Sequence, residues 1–305
     1  MHQDPTSDPS ARCTSEKRAR RQFQPRSDYV IGVLFLVTAA TTYSTAGLFT
    51  KGVSAGPWEV IFWRGLFAAA LTAAWTAQQG HMRTNFCEMG RSGWAVAVIG
   101  ALGTAAFIPA FKLTSIANVS LIYAVAPLIA ALLAWIAIGE RVSSRTLVGS
   151  LAALLGVLVI VSGSVGQISL AGDLLALGMT GAVATIMVLY RRYPNTPGAG
   201  PAAMQSVLLL PVAGVFGAPL GVDLVEVLIL AAFGLLFAVA SVALAEGAKR
   251  VPAGQTALIS ALETPLAPAL AFLIFTEVPG FATLAGGTIV LLAVLASVQG
   301  DGRRG

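Results

Sequence analysis

Apolar runs of about twenty residues recur along this chain, separated by short polar or Gly/Pro-containing segments. A helix rises about 1.5 Å per residue, so a run of that length crosses the roughly 30 Å hydrocarbon core of a bilayer. Hydropathy therefore predicts an all-α integral membrane protein with ten transmembrane helices. The predicted spans are 30–50, 57–78, 93–112, 117–138, 146–164, 171–190, 199–219, 225–246, 253–275 and 279–298.

Composition indicates that lipid is the main solvent of this chain. Of its 305 residues, 56% are hydrophobic and 11% are charged, whereas soluble domains carry about 25% charged residues. The net charge of +5 does not indicate a nucleic-acid partner, because the basic residues flank apolar runs instead of forming a continuous stripe. Membrane lipid is an expected partner, and no oligomeric state is favoured.

Basic residues lie mainly on one side of the membrane if the N-terminus is cytoplasmic. That side then carries sixteen Lys and Arg residues, the other side carries only Lys51 and Lys112, and Arg64 lies inside a span. The positive-inside rule predicts this asymmetry. We therefore expect a multi-pass protein of the cell inner (cytoplasmic) membrane with both termini in the cytoplasm.

The N-terminal segment 1–28 is polar and rich in Arg, Asp, Ser and Pro, which predicts a disordered, basic cytoplasmic tail. Cys13 in this tail and Cys87 in a loop are expected to be unpaired thiols, since neither is placed where a disulfide would persist. His2 and His81 both lie outside the apolar runs, so no metal site is predicted.

Comparison of the chain with itself at a shift of about 140 residues indicates an internal repeat. Gly56-Pro57 opens the second span as Gly200-Pro201 opens the seventh. Pro127 in the fourth span likewise matches Pro265 in the ninth. Each match is weak alone, but their common order along the chain indicates duplication.

We interpret 29–165 and 168–299 as two repeats of five helices each, followed by a short cytoplasmic tail at 300–305. Because five is odd, the second repeat must enter the membrane from the opposite side, so the repeat is inverted. Inverted repeats recur in transporters, where two equivalent halves open alternately around a site near the midplane. The alternative is duplication without alternating access, as in a channel or scaffold.

Segments in both halves resemble one transporter domain. In the first half they are Lys112-Leu113-Thr114-Ser115, Pro127-Leu128, Gly139-Glu140-Arg141 and Gly149 to Val161, and in the second half Gly172 to Leu177, Leu262 to Leu266 and Gly286-Gly287. Through them the chain after residue 28 is similar to the ten-helix EamA-type members of the drug/metabolite transporter superfamily. The resemblance implies a basket of ten helices around a central cavity, which exports or exchanges metabolites, amino acids or drugs.

Ionisable residues inside spans are functional candidates, because a charge within the bilayer costs at least about 2.5 kcal/mol. Glu263 lies about ten residues into the ninth span, near the midplane, and is the deepest carboxylate of the sequence. It could exchange a proton or bind a cationic substrate, or else be satisfied by neighbouring backbone and hydroxyl groups. Arg64 in the second span could bind a substrate carboxylate, pair with Glu59, or extend outward along Trp63.

Further polar side chains within spans are candidates for contact with a transported compound or for hydrogen bonds between helices. They are Tyr43, Ser44, Asn118, Tyr123, Gln205 and Ser241. Prolines within spans predict helix kinks, because each removes a backbone hydrogen bond. They are Pro109, Pro127, Pro211, Pro265 and Pro268. The equivalent Pro127 and Pro265 are expected to mark the lining of the cavity.

No nucleophile, base or metal cluster stands out, so an enzyme is not expected. No phosphate-binding Gly-x-x-x-x-Gly-Lys-Ser/Thr motif occurs, so the expected energy source is a proton or cation gradient, with no cofactor. The sequence predicts a secondary active transporter that exports or exchanges a small metabolite, amino acid or drug-like compound. A passive channel or facilitator and a non-transporting membrane scaffold are the alternatives.

Overall fold

The computed structural model describes residues 26–45, 49, 53–113, 116–162, 169–275 and 280–301, and their regular structure is helical, with no strand. The first-half helices are α1 (Arg26–Ser44), α2 (Pro57–Gln78), α3 (Gly90–Leu113), α4 (Ile116–Tyr123), α5 (Ala126–Ile138) and α6 (Ser144–Val161). The second-half helices are α7 (Leu170–Arg192), α8 (Ala199–Phe216), α9 (Leu224–Arg250), α10 (Ala253–Ser260), α11 (Glu263–Phe275) and α12 (Phe281–Asp301). The predicted tail 1–28 lies almost wholly outside these residues.

Within the described residues, seven stretches are long and apolar enough to cross a membrane. They are Pro57–Gln78, Val119–Ile138, Ser144–Val161, Leu170–Arg192, Ala199–Phe216, Leu224–Arg250 and Phe281–Val298. This confirms an all-helical, multi-pass membrane protein. The count of ten spans stays a prediction.

Local sequence explains where several helices begin and end. The side chains of Ser143, Ser169 and Asp223 each accept a hydrogen bond from a backbone N–H in the first turn of α6, α7 and α9. Gly139 ends α5 with φ of 67°, the left-handed conformation that glycine adopts without steric cost. This turn directs the next residue, Glu140, away from the axis of α5.

Two helices are interrupted at matching places in the two halves. Two-residue turns separate α4 from α5 at 124–125 and α10 from α11 at 261–262. Pro127 and Pro265 lie in the first turns of α5 and α11, where a missing N–H is tolerated. The prolines therefore accompany helix breaks and not only kinks, while Pro211 lies inside the continuous helix α8.

Glycines allow α6 and α12 to approach closely. A Cβ on Gly156 of α6 would lie 2.7 Å from the carbonyl oxygen of Gly286 and 2.9 Å from Cγ2 of Val290 in α12. Backbone carbonyls cannot move aside as side chains can, so this contact depends on the absence of a side chain.

Gly156→Ala is expected to destabilise the protein by about 1–3 kcal/mol, the usual cost of overpacking a tight contact. The measurement is the thermal unfolding temperature of the purified protein in detergent. Gly178→Ala in α7 is the matched control, because no atom lies within 4 Å of its Cβ position. The control should be neutral or slightly stabilising, and an equal loss in both variants would contradict the packing argument.

Carboxylates tie loops to helices at the end of the bundle where α2 and α9 begin, which we call the acidic end. Glu226 accepts hydrogen bonds from the backbone N–H groups of Ser54 at 2.6 Å and Ala55 at 3.1 Å. Glu59 accepts one from Ala218 at 2.7 Å. These contacts join the first half of the chain to the second.

Arginine and lysine side chains gather at the opposite end, where α7 and α9 finish and α10 begins; we call it the basic end. There Glu140 pairs with Arg191 at 3.0 Å. Within α9, Glu246 pairs with both Lys249 and Arg250. The two ends of the bundle therefore differ in charge.

Candidate functional site

The first part of the candidate site lies at the two helix breaks. Glu263 is the first residue of α11 and Tyr123 the last of α4. Their side chains are hydrogen-bonded to each other. The breaks therefore bring together a carboxyl and a phenol from two different spans.

Tyr43 of α1 connects Glu263 to the other predicted charge. Its hydroxyl lies 2.9 Å from Oγ of Ser241 in α9, and it interacts electrostatically with both Glu263 and Arg64. Glu263, Tyr43, Tyr123 and Arg64 all retain accessible surface although they lie within spans. Partly exposed polar side chains within spans are candidates for contact with a transported compound.

Arg64 lies against aromatic rings instead of an acid. Its guanidinium carbon is 4.2 Å from the ring centroid of Phe237 and 5.4 Å from that of Phe233, both in α9. Its Nε is buried and has no hydrogen-bond partner. Among the described residues no carboxylate forms an ion pair with Arg64. A buried cation with an unused donor is prepared to bind an anionic or acceptor group.

A narrow cavity of about 10 Å³, room for about one water molecule, lies beside Arg64. Its polar lining consists of Arg64, Thr104, Gln205 and Ser206. The amide of Gln205 packs against Gly100, where a side chain would collide with it. Gln205 therefore adds an uncharged polar group from α8 next to the cation.

Two predicted site residues are committed to other contacts. The indole N–H of Trp63 donates to the carbonyl oxygen of Pro219 at 2.9 Å, on the loop that follows α8. Ser44 is buried and donates to the carbonyl oxygen of Thr41, one turn earlier in α1. Glu59, an alternative partner for Arg64, binds Ala218 instead.

Three of the predicted residues have side chains outside the part of the chain that the structure describes. The side chains of Asn118, Pro109 and Pro268 belong to the part of the chain for which side chains are not described. Within the described residues, no group of three or more His, Cys, Asp or Glu side chains could hold a metal ion.

Sequence reasoning missed the aromatic pair and two hydroxyl residues at this site, Thr104 and Ser206. Phe233 and Phe237 are four residues apart, so they share one face of α9 and present both rings to Arg64. In an apolar span, phenylalanines are expected to face lipid or packing neighbours, so only their i,i+4 spacing could have indicated this role. Thr104 in α3 gave no separate signal.

Comparisons with known proteins address the family and the fold. Residues 30–162 match the EamA-like transporter family. Among solved structures, 29 chains match. One of them, described only as the crystal structure of a protein, is 21% identical and covers 90% of this chain and 98% of its own, with a TM-score of 0.77. At that identity the likeness shows a shared fold. A comparison with curated proteins finds no match.

The family match covers the first predicted repeat, and the structural likeness extends the same fold over most of the chain. The match of residues 30–162 to the EamA-like transporter family confirms the resemblance to the drug/metabolite transporter superfamily that the sequence indicated.

Proposed function

We propose that this protein is a secondary transporter of the cell inner membrane that exports or exchanges a small metabolite, amino acid or drug-like compound by alternating access. The observation that carries the proposal is a pair of opposite charges within spans, Glu263 and Arg64, which flank Tyr43 and are not paired with each other. Charges in a bilayer are costly, and two charges that do not form an ion pair with each other are retained where a substrate or coupling ion binds them.

The proposal includes ten spans in two inverted repeats. Helix packing supports it, because exchanging the two halves maps the most extensive helix contacts onto one another. The contact of α1 with α9 corresponds to that of α7 with α3, and the contact of α2 with α9 to that of α8 with α3. The contacts of α6 with α12 and of α2 with α8 map onto themselves.

The basic end is placed in the cytoplasm in this proposal. Arg191, Arg192, Lys249 and Arg250 finish their helices there, as the positive-inside rule requires of a cytoplasmic face. The acidic end, with Glu59 and Glu226, then faces the other compartment. Substrate entering from the cytoplasm would pass the basic end before reaching Glu263.

Each charge has a distinct role in the proposal. Glu263 takes up a proton or a cationic group, since the residue is only partly buried and its carboxyl has Tyr123 as hydrogen-bond donor. Arg64 binds an anionic group of the compound with the nitrogen that has no partner. The rings of Tyr43 and Phe237 contact each other edge to face, with their centroids 5.9 Å apart.

The experiment has two stages. Untargeted mass spectrometry first compares compounds inside and outside bacterial cells that express the protein with those that carry an empty vector. A compound depleted inside and enriched outside is then loaded unlabelled into proteoliposomes, and uptake of its labelled form is measured.

We expect saturable uptake that is accelerated by unlabelled compound on the opposite side. That counterflow requires a carrier with alternately exposed sites. Linear, non-saturating flux would instead establish a channel, and absence of any flux of the compounds found in cells would favour a scaffold.

A further inference from the structure

The basic end carries a contact among four helices that the transport site does not include. Both carboxylate oxygens of Glu140 are used: Oε2 accepts from Nε of Arg191 at 3.0 Å, and Oε1 accepts from the backbone N–H of Ala253 at 3.0 Å. Arg191 in turn donates to the carbonyl oxygen of Lys249 at 3.2 Å. A single carboxylate after α5 therefore links that helix to the ends of α7 and α9 and to the start of α10.

This contact crosses the boundary between the two halves of the chain. Glu140 belongs to the first half, whereas Arg191 and Ala253 belong to the second. The side chains of Glu140 and Arg191 are each 21% exposed, so the pair is partly shielded from solvent and forms a stronger contact than a fully exposed pair would.

Other contacts between the halves occur at both ends of the bundle. At the acidic end Glu226 binds the loop before α2, and at the basic end Ser92 of α3 lies 2.7 Å from Thr196, between their hydroxyl oxygens. Helices α2, α3, α8 and α9 are therefore braced at either end. The Glu140 contact instead ties α5 to α10, the two helices that flank the breaks.

A cavity of about 120 Å³ adjoins this contact. Its lining includes Glu140, Arg191, Thr146 and Gln255. Gln255 is completely buried, yet its Oε1 has no hydrogen-bond partner. Unfilled polar space beside this contact, with an unpartnered amide oxygen in its lining, differs from a packed core, in which buried polar groups are hydrogen-bonded.

Helix α10 connects this contact to the transport site. All eight of its residues, Ala253–Ser260, are buried. Its first N–H is held by Glu140, and Glu263 begins α11 after two intervening residues. Movement of α10 would therefore affect Glu140 and Glu263 together.

We propose that Glu140 acts as a latch that holds the basic end closed. Its release from Arg191 and Ala253 opens the adjoining cavity toward Glu263. This rests on the proposed transport function, since a latch is useful only to a protein that opens. The closed basic end is held by one carboxylate that accepts hydrogen bonds from two donors. Neutralising that carboxylate therefore weakens the closed state selectively.

The test measures access to the cavity. Thr146, buried in its lining, is replaced by Thr146→Cys in a protein whose Cys13 and Cys87 are serine. A membrane-impermeant maleimide is added to vesicles with the basic end outward, and the labelling rate is compared with and without Glu140→Gln. We expect labelling about tenfold faster with Glu140→Gln, the change that loss of one charged hydrogen bond gives.

Glu246→Gln is the matched control, because Glu246 pairs only within α9; its labelling rate should equal that of the parent. An unchanged rate in a folded Glu140→Gln protein would overturn the latch. Counterflow separates this outcome from failure of the transport proposal: a protein that exchanges compound but shows no labelling change refutes the latch alone.

Discussion

Glu263→Gln is expected to abolish accumulation driven by a pH gradient and to leave exchange of the compound measurable. Glutamine has the size of glutamate and can still accept the hydrogen bond from Tyr123, but it cannot bind and release a proton. Counterflow at equal pH needs no net proton movement, so the two assays should separate in this variant.

Gradient-driven uptake into proteoliposomes is the measurement, and we expect its initial rate to fall at least about tenfold, equivalent to 1.4 kcal/mol. Glu59→Gln at the acidic end is the matched control, since its carboxylate serves only the loop at Ala218 and uptake should persist. Full gradient-driven uptake by Glu263→Gln would remove Glu263 from coupling. Loss of both gradient-driven uptake and counterflow would instead assign Glu263 to binding of the compound.

The sequence predicted the positions of most helices because length and apolarity are the properties that a bilayer requires. The second predicted span, 57–78, coincides with Pro57–Gln78 of α2. Internal structure of spans is harder to predict. Pro127 and Pro265 indicated disturbed helices, but hydropathy cannot tell a kink from a break, because the run stays apolar across either.

The sequence singled out candidate site residues where a residue was chemically unusual for its surroundings. Glu263 and Arg64 stood out as charges in apolar runs, and Tyr123 stood out by its position before Pro127. Phe237 could not be recognised, because its role depends on Arg64 from a helix distant in the sequence. Trp63 shows the converse: its partner, Pro219, lies 156 residues away, and nothing local reveals it.

The acid at the basic end illustrates a similar limit. In the sequence, Glu140 and Arg141 directly follow the fourth predicted span, 117–138, where a carboxylate is most simply read as a local cap. The structure shows the carboxylate bound to the first N–H of α10, a helix that begins more than a hundred residues later. Only that long-range contact distinguishes a link between the halves from a local cap.

Arg64→Met is expected to raise the half-saturating concentration of an anionic compound by about 10- to 150-fold, since a hydrogen bond to a charged group contributes about 1.5–3 kcal/mol. Methionine keeps apolar contact with the ring of Phe237 and removes the charge. Arg64→Lys keeps the charge but loses the planar guanidinium, so it should give an intermediate value. The measurement is the concentration dependence of uptake. It is repeated with a neutral amide of the compound, for which the half-saturating concentrations of the Arg64→Met variant and the parent protein should differ little.

The Arg64→Met variant is expected to be more stable than the parent protein although it transports the anionic compound less well. Arg64 keeps a buried Nε without a partner, and a charge inside a span costs about 2.5–3.5 kcal/mol on insertion scales. Removing it is therefore expected to raise the thermal unfolding temperature in detergent, whereas removing a structural arginine would lower it. A variant that is more stable and yet binds the anionic compound weakly would establish that Arg64 is retained for binding; a variant that loses stability and transport together would assign it to the fold.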